Sequence, residues 1–124
     1  MQNFPKNERL CGKNNIANLF SSGSSIKQSF LRLVWGSYKF NPQATAKIVF
    51  VVPKKNIKKA VNRNLLKRRM REAFYQHKSE LYKIIKKKEE QLAIAIIYQS
   101  EELLSYKVID EKIKLILHRL SEDI

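Results

Sequence analysis

At 124 residues, 44% hydrophobic and 10% aromatic, the chain is sized for one domain with an ordinary core and is too apolar to be a disordered basic tail. Its 25 Lys and Arg against 11 Asp and Glu give a net charge of +14, which points to a polyanionic partner. A single cysteine, Cys11, excludes an internal disulfide framework and a cysteine-clustered zinc site. No apolar run reaches the roughly 18 to 20 residues of a membrane span, and the polar start MQNFPKNERL lacks a signal peptide's apolar core. A soluble, non-exported, cytoplasmic protein is expected.

Asn14 and Asn15 ahead of Ile16, Leu19 and Phe20 at helical spacing, with Gly23 beyond, predict a short capped helix. After the polar SSGSS turn, residues 26–28 read as a short strand and 30–35 as a second. In the second, Phe30, Arg32 and Val34 share one face and Leu31, Leu33 and Trp35 the other. Residues 36–45, with Asn41-Pro42 inside, form a turn or loop. Residues 47–52, closed by Pro53, are a third strand, and Asn56 to about His77 has the period of a two-faced helix. Residues 91–98, apolar on both faces, read as a fourth, buried strand. Ser105 opens a last helix whose Ile109, Ile113, Ile116, Leu117 and Leu120 form one stripe. Its Asp110 and Glu111 come early and Arg119 late, as the helix dipole favours.

The charge is unevenly distributed. Residues 1–71 hold 16 basic residues and one acid, Glu8, whereas residues 72–124 hold 9 basic residues and 10 acids. Within 54–71, nine of eighteen residues are Lys or Arg and none is acidic. Such a block can be a merely solvated surface, but this one is periodic. At about 100° per residue, Leu66, Met70, Ala73 and His77 fall on one face with Phe74 beside them, and Asn64, Lys67, Arg68 and Arg71 on the opposite face. The first face is core. The second sets three cations and an amide within two turns, close to the spacing of successive phosphates on a nucleic-acid strand. Lys58 and Lys59 fall at the expected helix start, where positive charge opposes the dipole; an anion docked there would resolve the conflict.

The search for catalytic chemistry leads the other way. His77 and His118 lie in separate elements, so a histidine metal site is not expected and His77 reads as a satisfied residue at the core margin. Three glycines form no phosphate-cradling loop, and no Gly-x-Ser-x-Gly elbow occurs. Glu8 is the only acid before Glu72, so residues 9–71 lack the carboxylates that hold metal ions in a protein nuclease. The residues favour binding over catalysis, with no catalytic or metal-ligating side chain of the chain's own.

The run 53–74, PKKNIKKAVNRNLLKRRMREAF, closely resembles the signature of the bacterial ribonuclease P protein family. Arg9-Leu10, the Phe20 helix ending near Gly23, the strand leading into Lys54-Lys55, the later buried strand and the closing helix resemble that family's order of elements, so the resemblance covers nearly the whole chain. It implies one α+β domain over 1–124, arranged α-β-β-β-α-β-α, with a four-stranded mixed sheet and a left-handed βαβ crossover, against the usual right-handed preference. It also implies a subunit of an endoribonuclease that removes the 5′ leader of precursor tRNA. There the RNA subunit performs the hydrolysis with Mg²⁺, and the protein binds ribonuclease P RNA and the leader as a 1:1 complex.

By this resemblance Arg63, Asn64, Lys67, Arg68 and Arg71 contact the RNA subunit, joining Lys58 and Lys59. Lys54 and Lys55 match the basic pair near the leader cleft, and Phe20 matches an aromatic position suited to stacking on an unpaired base. Phe30, Leu31, Leu33 and Trp35 lie within one residue of the family's strand aromatics, and Phe30 is assigned to the leader set. Ile16 stands where the family often has a second helix aromatic, and Leu65 where its Arg-Asn-Arg motif has the second arginine. Two other readings of the charge are a ribosomal-type structural RNA-binding protein and a membrane-surface helix over 54–88. The second of these has few bulky apolar residues to insert.

Overall fold

The computed structural model describes residues 9–10, 13–39 and 44–124; Glu8, Cys11 and the Asn41-Pro42 turn lie outside them. In chain order the elements are α1 (Lys13–Ser22), β1 (Ser24–Gln28), β2 (Leu31–Ser37), β3 (Ala46–Val51), α2 (Ala60–His77), α3 (Ser79–Lys87), β4 (Leu92–Tyr98) and α4 (Tyr106–Asp123). All seven expected elements are present, and α3 is additional. α1 begins at Lys13, so Asn14 and Asn15 lie in its first turn instead of capping it.

The four strands form one sheet in the order β1-β2-β4-β3. β4 inserts between two earlier strands, antiparallel to β2 and parallel to β3. Every residue of β4 is buried, because helices cover both faces, as its unbroken apolar run requires. Leu92, Ile94, Ile96 and Tyr98 enter the larger core with α2, α3 and α4. Ala93, Ala95 and Ile97 face the smaller cluster containing Leu19 of α1. The two alanines leave room for α1 to approach closely.

Gly23 closes α1, its N–H donating to the Leu19 carbonyl at 2.8 Å. A Cβ here would lie 2.5 Å from the Leu19 oxygen and 2.9 Å from the Trp35 oxygen, so a side chain cannot enter without moving backbone. The β1–β2 hairpin turns on Ser29, whose φ of 56° lies in the left-handed region preferred in tight hairpins.

The stripe expected on the last helix is fully buried, and Ser105 caps that helix by accepting from Val108 N at 3.4 Å. Arg119 does more than favour the dipole. Its Nη1 donates to the Lys27 carbonyl and Gln28 Oε1, at 2.7 and 3.1 Å, and so ties α4 to β1. His77 is satisfied at the core margin, as expected, by Asp110 at 2.8 Å.

The additional helix α3 buries Leu81 and Ile85, with Glu80 in its first turn and Lys86 and Lys87 in its last. It ends in a Schellman arrangement: Glu89 N donates to Lys86 O and Glu90 N to Ile85 O, with Glu89 at φ 56°. Glu89→Gly is expected to raise stability by about 1 kcal/mol in a denaturant titration, because a side chain in this conformation costs roughly that much. Gly23→Ala is expected to lower stability by about 1–3 kcal/mol through forced overpacking, read by the same titration.

Candidate nucleic-acid interface

α2 follows a crossover turn in which Asn56 N and Ile57 N both donate to Pro53 O at 3.1 Å. It starts at Ala60, later than the expected Asn56, because residues 54–56 are spent on that turn. Its buried side holds Leu66, Met70, Ala73 and Phe74, with Phe74 edge-on to Phe50 at 5.9 Å and to Tyr82 at 6.2 Å. This clamp fixes the rotation of the helix, and therefore which side chains face solvent.

Lys67, Arg68 and Arg71 face outward with Asn64, and together they line one surface hollow of about 490 Å³. Asn64 and Arg68 are exposed, while Lys67 and Arg71 are half-buried. Arg71's guanidinium is held below its ordinary proton affinity, first by burial and then by the charge of Arg9. Arg9 reaches this position because it bridges Ile48 on the outer edge of β3, where Leu10 N donates to Ile48 O at 2.9 Å. Sequence reasoning kept Arg9 only as part of the order of elements. Nothing local to it signals that pairing on the β3 edge brings its charge within reach of Arg71.

Arg63 is placed apart from the other expected RNA-binding residues of α2. Near the start of α2 it lies toward the core side, and its Nη1 donates to the carbonyls of Ile57 at 3.0 Å and Lys58 at 2.7 Å. It braces the crossover loop and does not share the outward face of Lys67, Arg68 and Arg71. Arg69 is also tied inward, donating to Leu104 O at 2.6 Å. Of the five cations on α2, two therefore hold backbone. Lys58 and Lys59 are exposed, with Lys59 in extended conformation at the N-cap. No side chain caps this helix start and its first turn carries no acid, so the expected charge conflict with the dipole is present.

The second region lies on the α1 side of the sheet. Strand register aligns Val34, Ala95 and Val49 in one row, and Arg32, Ile97 and Val51 in the next. Leu19 packs in the cluster that holds Val34, Ala93 and Ala95, so α1 covers the first row. In the next row Arg32 is exposed and Val51 half-buried, and β3 leaves this row toward the exposed Lys54 and Lys55. On α1, Phe20 is 42% exposed beside the fully buried Leu19. An apolar row flanked by cations, with an exposed aromatic ring on the helix that covers the same sheet face, suits an unpaired nucleic-acid strand.

Phe30 does not join Phe20. The expectation that it shares a strand face with Arg32 and Val34 is corrected by the hairpin, which puts Phe30 in the turn instead of the strand. Its ring lies 5.5 Å from that of Tyr98 and packs against the larger core, on the sheet face opposite α1. Leu31, Leu33 and Trp35 belong to that same core. The alternation expected for residues 31–35 is otherwise observed. Tyr38, just past β2, is the aromatic residue that packs with the α1-side cluster.

Among the described residues, no three His, Cys, Asp or Glu side chains come together as metal ligands. No described helix is long and apolar enough to cross a membrane.

The fold is an α+β domain whose clamped basic helix turns Lys67, Arg68 and Arg71 outward with Asn64. The comparisons with known proteins narrow that class. The family described as Ribonuclease P matches residues 4–121, and the chain belongs to the ribonuclease P protein family. It is similar to the ribonuclease P protein component of Chlorobaculum tepidum, 32% identical over 78% of this chain and 68% of the relative. That of Chlorobium phaeobacteroides is 32% identical over 94% and 88%. Among solved structures, the Staphylococcus aureus RNase P protein superposes with a TM-score of 0.73 at 19% identity, covering 91% of this chain and 94% of that one. The Thermotoga maritima protein gives 0.69 at 23%, covering 90% and 96%. Both show the same fold.

The two kinds of arginine on α2 are separable by experiment. Arg68→Ala is expected to lower the salt slope of RNA binding by about 0.7–0.9, one lost phosphate contact, with unchanged thermal stability. Arg63→Ala is expected to cost about 1–2 kcal/mol in stability through its lost backbone hydrogen bonds, while leaving that slope unchanged.

Proposed function

We propose that this member of the ribonuclease P protein family binds ribonuclease P RNA through the outward face of α2 and receives the 5′ leader of precursor tRNA on the α1 side of the sheet. The observation that carries the reading is the convergence of Lys67, Arg68 and Arg71 with Asn64 on one rigid surface, continued by Arg9. Such a surface tracks a phosphate backbone. Lys58 and Lys59 extend it at the helix start, where the uncapped N-terminus favours anions. Phe20, Lys54 and Lys55 serve the leader, the ring stacking on an unpaired base and the lysines holding the strand's phosphates. Phe30 is not included, since its ring is committed to Tyr98.

The chemistry is assigned to RNA. The described residues bring no three metal-ligating side chains together, and the reading asks none of them to hold Mg²⁺. In this reading the metal ion that would supply an activated water belongs to the RNA subunit. The protein contributes cations that lower repulsion between two RNAs and a surface that recognises an unpaired 5′ extension. It acts in the cytoplasm as one protein per RNA.

The deciding experiment is 5′ cleavage of a precursor tRNA at low Mg²⁺ by a bacterial ribonuclease P RNA, with and without this protein. Cleavage at the mature 5′ end that requires both supports the reading; tight RNA binding without stimulation makes the protein a structural RNA binder instead. Phe20→Ala is expected to reduce discrimination between substrates with and without a leader about tenfold, the loss of one stacking contact. Its exposure predicts an unchanged melting temperature, checked by circular dichroism.

A further inference from the structure

Val61 and Leu65 occupy a part of the α2 surface that phosphate contacts alone do not use. Val61 is 71% exposed. Leu65, one turn on, is half-buried yet joins neither core cluster. A single exposed valine is ordinary, but here two apolar residues adjoin within a field of cations. On the helix surface Asn64, Lys67 and Arg71 fall to one side of Arg68, while Leu65 falls to the other and Val61 lies close to Arg68's own line. The exposed Glu72 lies on the apolar side, one turn beyond Arg68. A polyanion is thereby directed to the Lys67 and Arg71 side, where Arg9 adds positive charge.

We propose that this hollow holds one unpaired nucleotide of the bound RNA, with its phosphate on the Lys67 and Arg71 side and its base and ribose over Val61 and Leu65. The inference rests on the reading of α2 as the RNA-binding face, and specifies which element of RNA that face selects. The hollow, of about 490 Å³, also includes Asn62. The two amides, Asn62 and Asn64, carry the paired donor and acceptor that the edge of an unstacked base requires. A continuous duplex keeps its bases stacked and would leave Val61 and Leu65 against water, whereas a bulged nucleotide turns apolar surface outward to meet them. Leu65 thus has a function of its own at the position where the family motif carries arginine.

The test uses an RNA hairpin with a single 2-aminopurine bulge, the same hairpin without the bulge, and one with an abasic bulge, each titrated with the full-length protein over a range of salt. Tighter binding of the base-containing bulge by about tenfold is expected, the equivalent of a few apolar carbons removed from water. The abasic bulge should bind like the perfect hairpin. Val61→Ala/Leu65→Ala should abolish the preference at an unchanged salt slope, because apolar burial releases no counterions. Leu65→Arg should abolish it while raising the slope by about 0.7–0.9. Equal affinity of the unmodified protein for bulged and perfect hairpins overturns the proposal, as does a preference that survives the double alanine variant. Stimulated precursor-tRNA cleavage without bulge preference removes this inference alone. Bulge preference without stimulated cleavage removes the ribonuclease P reading and leaves the nucleotide site standing.

Discussion

The parallel pairing of β4 with β3, inside a sheet whose strands are otherwise antiparallel, forces the chain to travel the length of the sheet between the two strands. α2 and α3 make that journey. β4 can sit centrally because its seven residues are apolar on both faces and every one is buried; each isoleucine so placed contributes roughly 1.5–3 kcal/mol. A strand this apolar requires cover on both sides. α2, α3 and α4 supply it on one face and α1 on the other, so the position of the basic helix follows from the needs of a strand that carries no charge.

Once α2 lies over the sheet, the direction of its cations follows from packing. Leu66, Met70, Ala73 and Phe74 are fully buried, and a helix with one face fixed has no rotation left. Lys67, Arg68 and Arg71 then stand on the outside with Asn64. Arg63 and Arg69 instead donate to backbone carbonyls, Arg63 in the crossover loop and Arg69 in the segment before α4. Hydrogen bonds from charged groups to backbone are stronger than neutral ones. The same residue type thus fixes loops at two positions and presents charge to a partner at others.

The molecule also separates its charges by function. The first 71 residues carry nearly all the positive excess, and the remainder is close to neutral. The neutral part supplies β4 and α4, the main structural supports, whose polar ties such as His77 to Asp110 and Arg119 to the hairpin join distant segments. Mutual repulsion among the cations is therefore borne by a core that does not contain them. A polyanion that neutralises α2 removes repulsion as it binds.

Much of this was legible from the sequence because helix period, strand alternation and charge density are local properties. The two-faced pattern of α2, the stripe of α4, the dry run of β4 and the alternation of residues 31–35 all stand as read. The family signature in residues 53–74 is a continuous stretch that no folding is needed to assemble. α3 went unread although Leu81 and Ile85 have helical spacing, because it is short and separated from α2 only at Lys78, without a glycine or proline to mark the break. The tertiary structure alone decided that the charge of Arg9 reaches Arg71, that Arg69 is tied to the Leu104 carbonyl, and that Phe30 packs on Tyr98 and not with Phe20. Each depends on contacts between segments far apart in the chain. Periodicity gives the direction of a side chain relative to its own element, and only packing gives what that direction meets.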